Sequence, residues 1–265
     1  MGDVTRSPDF LDLPPRSVKP RMVGLTHVLD KGVSVPELQA LADRAGAWID
    51  IWKLGWGTAY LEPDVPEKVS ALAARGIRAC VGGTLLEVAW GQGHAEACLA
   101  WAADAGFPCV EVSNGAVDMP LREKRRLITV AAERFVVLSE VGSKDPTAEV
   151  SAQGWAEEMV GDLGAGATWV LTEGRESGTV GLYQPDGRVR EAVVEAVVER
   201  VGLPRVIFEA PRKDQQAWFI NRFGGEVSLG NISLADAIGL EALRLGLRAD
   251  TIRLSLRRPD AQAQG

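Results

Sequence analysis

Lysine and glutamate recur along this chain at the ends of short apolar runs. Asp30-Lys31-Gly32 closes the first run, Lys53 lies in the second, Gly82-Gly83-Thr84 with Glu87 follows the third, and Glu111, Ser113 and Asn114 end the fourth. Glu140, Ser143, Lys144 and Asp145 follow the fifth, Glu173, Arg175 and Glu176 the sixth, Glu209, Arg212 and Lys213 the seventh, and Gly230-Asn231 the eighth. Such side chains are rarely buried without partners, so charges repeated at one end of successive strands are expected to face a shared mouth. Lys31, Lys53, Lys144, Arg175, Arg212 and Lys213 give that mouth a positive lining, which favours an anionic ligand. Arg175, in GRESG, offers the planar fork that grips carboxylate or phosphate. Gly174 and Gly178 let backbone amides approach a ligand, as does Thr84 beside its glycines, and Gly230-Asn231-Ile232-Ser233 opens the last helix, where barrels often bind phosphate. Glu140, Glu173 and Glu209 end three consecutive strands with oxygen donors that suit Mg²⁺. The same glutamates also read as simple counter-ions of the lysines.

The elements that must position these groups follow a regular rhythm. Apolar runs lie at 23–30, 49–55, 78–84, 109–115, 135–142, 168–174, 205–210 and 227–232. They are near-continuous rather than alternating, as expected for parallel strands covered by helices on their outer face. Helical spacing fills the intervals at 36–46 (with Ser34 as N-cap), 66–75, 94–105, 121–134, 152–163, 189–201, 212–223 and 234–245. Strand then helix, eight times over, predicts an α/β fold, a single (β/α)8 TIM barrel spanning 22–250. A short N-terminal extension at 1–21 and a tail at 251–265 flank it. The rival is a doubly wound open sheet, but GGTLLE at 82–87 has adjacent glycines and fails as a dinucleotide fingerprint. His27 falls within a strand, either lining the barrel or packing, and His94 reads as a surface residue. Cys80, Cys109, Trp101 and Trp155 read as core, and Trp56 as core or as a wall of the mouth.

Composition narrows the function. The 265 residues carry 29 Lys+Arg against 36 Asp+Glu, a net charge of −7, which disfavours nucleic acid and anionic membrane as partners. No apolar run approaches a membrane span. Three cysteines without CxxC spacing point to a reducing, cytoplasmic setting, and two histidines leave no three-histidine zinc site.

Taken together, GLTHVLDKG (24–32), DIWKLGWGT (50–58), GGTLLE (82–87), EVSNG (111–115), LSEVGSK (138–144), LTEGRESG (171–178), VIFEAPRKDQQ (206–216) and LGNI (229–232) resemble the phosphosulfolactate synthase family over about 22–250. The resemblance implies a cytoplasmic, oligomeric lyase that adds sulfite to phosphoenolpyruvate with Mg²⁺, giving (2R)-phospho-3-sulfolactate. It implies Lys144 as proton donor to C2, with Lys53 stabilising the intermediate and Lys31 as a further catalytic cation. Arg175, Gly230, Asn231 and Thr84 would hold phosphate, Arg212 or Lys213 would meet sulfite, and Glu140, Glu173 and Glu209 would hold the metal. Two positions depart from the family pattern: Asn114 stands where a carboxylate is usual, and Ser143 where the first of two lysines is usual. These departures motivate a second reading, a family member using another nucleophile or another phosphorylated enol or 2-hydroxy acid. A third is a non-catalytic barrel that binds a partner.

Overall fold

The computed structural model describes residues 9–145 and 147–256. Eight parallel strands close into one barrel in sequence order: β1 (Thr26–Asp30), β2 (Ile51–Leu54), β3 (Arg78–Val81), β4 (Cys109–Val112), β5 (Val136–Val141), β6 (Trp169–Thr172), β7 (Val206–Glu209) and β8 (Leu229–Ser233). β1 pairs with both β2 and β8, so no sheet edge remains among them. The barrel predicted from the sequence is the observed fold, and the open sheet is excluded.

Around it lie α1 (Val35–Ala45), α2 (Thr58–Leu61), α3 (Val65–Ala73), α4 (Gly83–Gly91), α5 (Ala95–Asp104), α6 (Leu121–Ala132), α7 (Ala152–Gly164), α8 (Glu191–Val201), α9 (Lys213–Phe223) and α10 (Ala237–Arg244). α1 starts where Ser34 predicts it, with Glu37 Oε2 accepting from the Ser34 N–H at 2.9 Å. The expected eight helices are all present, but α2 and α4 were not anticipated. α4 grows straight out of GGTLLE, because Gly83 lets the chain turn against its neighbour. A Cβ at Gly83 would run into Ser113 Oγ and lie 3.1 Å from Glu111 Oε1.

Side chains fill the barrel in layers. The lower interior is apolar, built by Leu25, Ile51, Cys80, Cys109, Leu138, Trp169, Leu171 and Ile207. Odd-numbered residues of β2 point inward, placing Lys53 one layer above Ile51, while Trp52 faces the helices. Trp155 is buried and Cys80 and Cys109 are core, as expected. Trp101 is half-buried, its ring 6.0 Å from Phe107.

At the other end of the barrel the N-terminal segment is tied down by charge. Arg16 pairs with Glu226 and Glu241, each at 2.9 Å, and Arg21 with Asp50 at 3.1 Å. Arg244, fully buried, donates to the carbonyls of Val227 at 2.6 Å, Leu25 at 3.1 Å and Gly225. Residues 1–8 of the expected extension and 257–265 of the expected tail lie outside the described residues. Among the described residues no helix is long and apolar enough to cross a membrane.

Candidate active site

The C-terminal strand ends open onto a cavity of about 630 Å³, lined among others by Lys53, Trp56, Gly83, Thr84, Glu111, Glu140, Lys144, Glu173, Arg175 and Asn231. The period-2 alternation of the strands decides which residues reach it. Lys53, Glu111, Glu140 and Glu209 are all inward-facing and at least 95% buried. The Lys53 ammonium lies 3.1 Å from Glu111 Oε2 and 3.4 Å from Glu209 Oε1. The Lys144 ammonium lies 2.6 Å from Glu140 Oε1, 3.2 Å from Glu87 Oε1 and 3.3 Å from Glu173 Oε2. That last contact has charge but no hydrogen-bond geometry, so Glu173 Oε2 is a buried oxygen without a hydrogen-bond donor. Backbone amides fix the other carboxylate oxygens: Gly83 N donates to Glu111, Gly174 N to Glu209 and Arg175 N to Glu173, at 2.9, 2.9 and 2.6 Å.

Charge at this floor does not balance. Five buried carboxylates (Glu87, Glu111, Glu140, Glu173 and Glu209) face two ammoniums, a formal excess of three negative charges. Burial raises Glu173 well above the ordinary carboxylate range, helped by Glu140 and Glu209 and opposed by Lys144. Glu111 is also raised, by burial, against the pull of Lys53. Glu209 is pushed up to about 7 by burial, which outweighs Lys53. Glu140 alone goes down, to about 2, because Lys144 and Lys53 together overcome its burial. Both lysines would be depressed by burial, yet the surrounding carboxylates raise them above the ordinary range. They are ammoniums at neutral pH.

The sequence-predicted residues divide clearly. Lys53, Lys144, Arg175, Thr84, Asn231, Glu140 and Glu173 share the cavity. Arg175, at φ 48°, holds the Lys144 loop by donating from Nη1 to the Lys144 carbonyl at 3.1 Å. Asn231, at φ 53°, is buried and its Oδ1 has no partner. Glu209 sits beneath the cavity rather than on its wall, fully buried. Lys31 stands at the rim with its side chain about half exposed, paired with Glu176 at 2.5 Å and 5.8 Å from the centre of the Trp56 ring.

Arg212 and Lys213 do not reach the cavity. α9 begins at Lys213 and turns them outward, where Arg212 pairs with Asp214 and Lys213 with Asp250. Gly230 also lies off the cavity: a Cβ there would be 2.9 Å from His27 Nδ1, so the glycine makes room for the imidazole. His27 is thus an interior residue, held neutral by its burial and by Lys53, with Nδ1 accepting from Asn231 N at 3.4 Å. Asp30 points away from the mouth, accepting from Gly32 N, Val33 N and Trp52 Nε1, with Lys68 at 3.4 Å. His94 is exposed, just before α5, and Trp56 is 42% exposed, a wall of the mouth rather than core.

Neither departure from the family pattern faces the cavity. Asn114 Nδ2 donates to the Met119 carbonyl at 3.2 Å, a bond a carboxylate cannot make, and Ser143 Oγ accepts from Asp145 N at 3.1 Å. The residues that sequence reasoning placed nearby but gave no role are Glu87 and Glu111. The signal for Glu111 is its place as the penultimate residue of β4, matching Glu140 in β5, whereas Glu87 lies on α4, for which the sequence pattern gives no helix.

The donor set offered to a cation is oxygen only. Glu140 and Glu173 line the cavity, one Glu173 oxygen lacks a donor, and the carboxylates outnumber the ammoniums, all of which suits a hard divalent ion. Among the described residues no group of three or more His, Cys, Asp or Glu is arranged to hold a metal by itself. Mg²⁺ commonly binds through one or two carboxylates and completes its shell with water and substrate oxygens.

A profile of the family described as (2R)-phospho-3-sulfolactate synthase (ComA) matches residues 14–250. The phosphosulfolactate synthase of Methanothermobacter thermautotrophicus is 41% identical over 250 residues, covering 92% of this chain and 96% of that protein. That of Bacillus subtilis is also 41% identical over 250 residues, covering 93% and 99%. Among solved structures, a 3-hexulose-6-phosphate synthase matches with a TM-score of 0.55 at 14% identity, over 83% of this chain and 99% of that one. A thiamine phosphate pyrophosphorylase from Pyrococcus furiosus matches with a TM-score of 0.52 at 13% identity, over 89% and 96%. At such identities the two structures speak for the barrel fold alone.

Proposed function

The chain belongs to the (2R)-phospho-3-sulfolactate synthase family, and on that premise we propose that it joins sulfite to phosphoenolpyruvate at the Lys53–Lys144 floor. It is an enzyme of that family; the substrates, the Mg²⁺ dependence and the chemistry below are our reading. The observation that carries it is the meeting of two buried ammoniums, Lys53 and Lys144, with cavity-lining carboxylates in one mouth.

The physical problem is bringing two anions together. Sulfite sulfur supplies the electron pair that forms the C–S bond at C3 of phosphoenolpyruvate. The C2–C3 π pair moves toward the carboxylate, giving an aci-carboxylate with a second negative charge. Lys53, fixed by Glu111 and Glu209, holds positive charge where that negative charge develops. Lys144, already protonated, delivers the proton to C2 from one face and so sets the R configuration. Arg175, Thr84 and Asn231 are the lining groups available to the phosphate, since Arg212 and Lys213 lie elsewhere. Glu140 and Glu173 would hold Mg²⁺, whose chemistry when bound is to neutralise charge at the substrate carboxylate.

The test is one incubation of purified protein with phosphoenolpyruvate, sulfite and Mg²⁺, followed by phosphorus NMR. A new phosphate-ester resonance growing as phosphoenolpyruvate disappears is expected; unchanged phosphoenolpyruvate contradicts the reading.

A further inference from the structure

Lys144 is held by three carboxylates, and they are not equivalent. Glu140 and Glu173 line the cavity, so a cation entering the mouth would compete with Lys144 for them. Glu87 does not line it. It is fully buried, reaches Lys144 from behind, and comes from a helix that carries no other group of the proposed chemistry apart from Thr84 in its first turn. Both of its oxygens are pinned: Oε1 accepts from Ser113 Oγ and Lys144 Nζ, and Oε2 accepts from Ala116 N at 2.7 Å.

The loop around Glu87 in turn supports the lysine stem. Lys144 N donates to the Gly115 carbonyl at 3.0 Å, and a Cβ at Gly115 would lie 3.3 Å from both Lys144 Cγ and Nζ. The glycine is therefore the surface along which the lysine chain runs. α4 serves the second lysine as well, because its Gly83 amide fixes Glu111, the nearer partner of Lys53. One helix thus aligns both ammoniums.

We propose that Glu87 is a positioning residue, the fixed carboxylate that keeps the Lys144 ammonium aimed into the mouth while Glu140 and Glu173 are engaged by ligands. Its effect on turnover rests on the function proposed above; its effect on where Lys144 sits does not. An ordinary structural glutamate would change stability without changing the reach of one lysine. A positioning glutamate changes that reach and lowers kcat more than it raises KM.

The experiment compares wild type with Glu87→Gln and Glu87→Asp, the latter keeping the charge but withdrawing it by one methylene. Lysine accessibility is read by reductive methylation with formaldehyde and borohydride, followed by peptide mass spectrometry; because the reaction needs the free amine, which loss of a neighbouring negative charge also favours, the charge-keeping Glu87→Asp carries the reading. Steady-state kinetics with phosphoenolpyruvate and sulfite are run alongside. The expected result is methylation of Lys144 at least fivefold faster in both variants, with labelling of exposed Lys31 and Lys213 unchanged. kcat should fall at least tenfold while KM for phosphoenolpyruvate moves less than threefold. Should Glu87→Gln fail to fold, Glu87→Asp decides the question alone. Unaltered Lys144 labelling overturns the proposal whatever the kinetics show, and so does a rise in KM at constant kcat. Faster labelling in a protein whose wild type consumes neither substrate upholds the positioning role and defeats the sulfite-addition reading instead.

Discussion

The two ends of this barrel are both crowded with buried charge, and they balance it differently. At the N-terminal end Arg16, Arg21 and Arg244 pair with Glu226, Glu241 and Asp50, Lys19 and Arg78 lie near the same cluster, and Arg244 also satisfies three backbone carbonyls. At the C-terminal end five carboxylates meet two ammoniums, and three of those carboxylates are raised above their ordinary range. The first arrangement fastens the N-terminal segment and closes β1 against β8. The second leaves carboxylates in excess, so Glu111, Glu173 and Glu209 are driven toward their protonated forms unless something positive arrives.

The largest effect is expected on removing Lys144, the proposed proton donor. Lys144→Ala should lower turnover at least a hundredfold, on the order of 3 kcal/mol of transition-state stabilisation. Its melting temperature should fall as well, because Glu87, Glu140 and Glu173 lose their shared cation, so turnover is measured well below the variant's melting point. Near-normal turnover would remove Lys144 from proton transfer. At the base the expectation differs in turnover: Arg244→Met should cost about 3 kcal/mol of stability by stranding buried carbonyls, with kcat of the folded protein unchanged. Chemical denaturation and kinetics on the same preparation check both halves.

A smaller effect concerns pH. Glu209 has a folded value of about 7, above the ordinary 4.5, so the folded state takes up a proton between those values. Its contribution to stability therefore declines as pH rises through that window. Glu209→Gln should remove this decline, narrowing the difference in melting temperature between pH 5 and pH 8, while turnover falls because Lys53 loses a partner. A variant with the same pH slope as wild type would show that Glu209 is not raised. The smallest effect is expected at the rim, where Lys31→Ala removes an exposed pair with Glu176. Less than about 0.5 kcal/mol of stability should be lost, with turnover within threefold of wild type. A hundredfold loss would return Lys31 to the catalytic set.

The order of these effects also marks what could be read from the sequence. Eight apolar runs, each ending in polar residues, specify the barrel and put Lys53, Lys144, Arg175 and Glu140 at the working end. They do not specify parity. Strands buried on both faces are apolar throughout, so nothing in THVLD shows that Leu29 faces the mouth while Asp30 faces outward to cap a loop and meet Lys68. α4 is hidden because it opens on Gly82 as N-cap followed by Gly83-Thr84, a stretch that reads as a loop, and Glu87 is hidden with it. Lys213 read as a ligand because it follows β7 closely, whereas its partner, Asp250, is distant in sequence.

We propose that a divalent cation belongs among the excess carboxylates of the mouth, a claim that rests on the function proposed above. Its most direct measurement is the melting temperature at pH 8 with and without Mg²⁺, in wild type and in Glu140→Gln/Glu173→Gln. A ligand that binds only the folded state raises its stability, so Mg²⁺ should raise the wild-type melting temperature and leave that of the double variant unmoved. Equal melting of wild type with and without Mg²⁺ would contradict the claim.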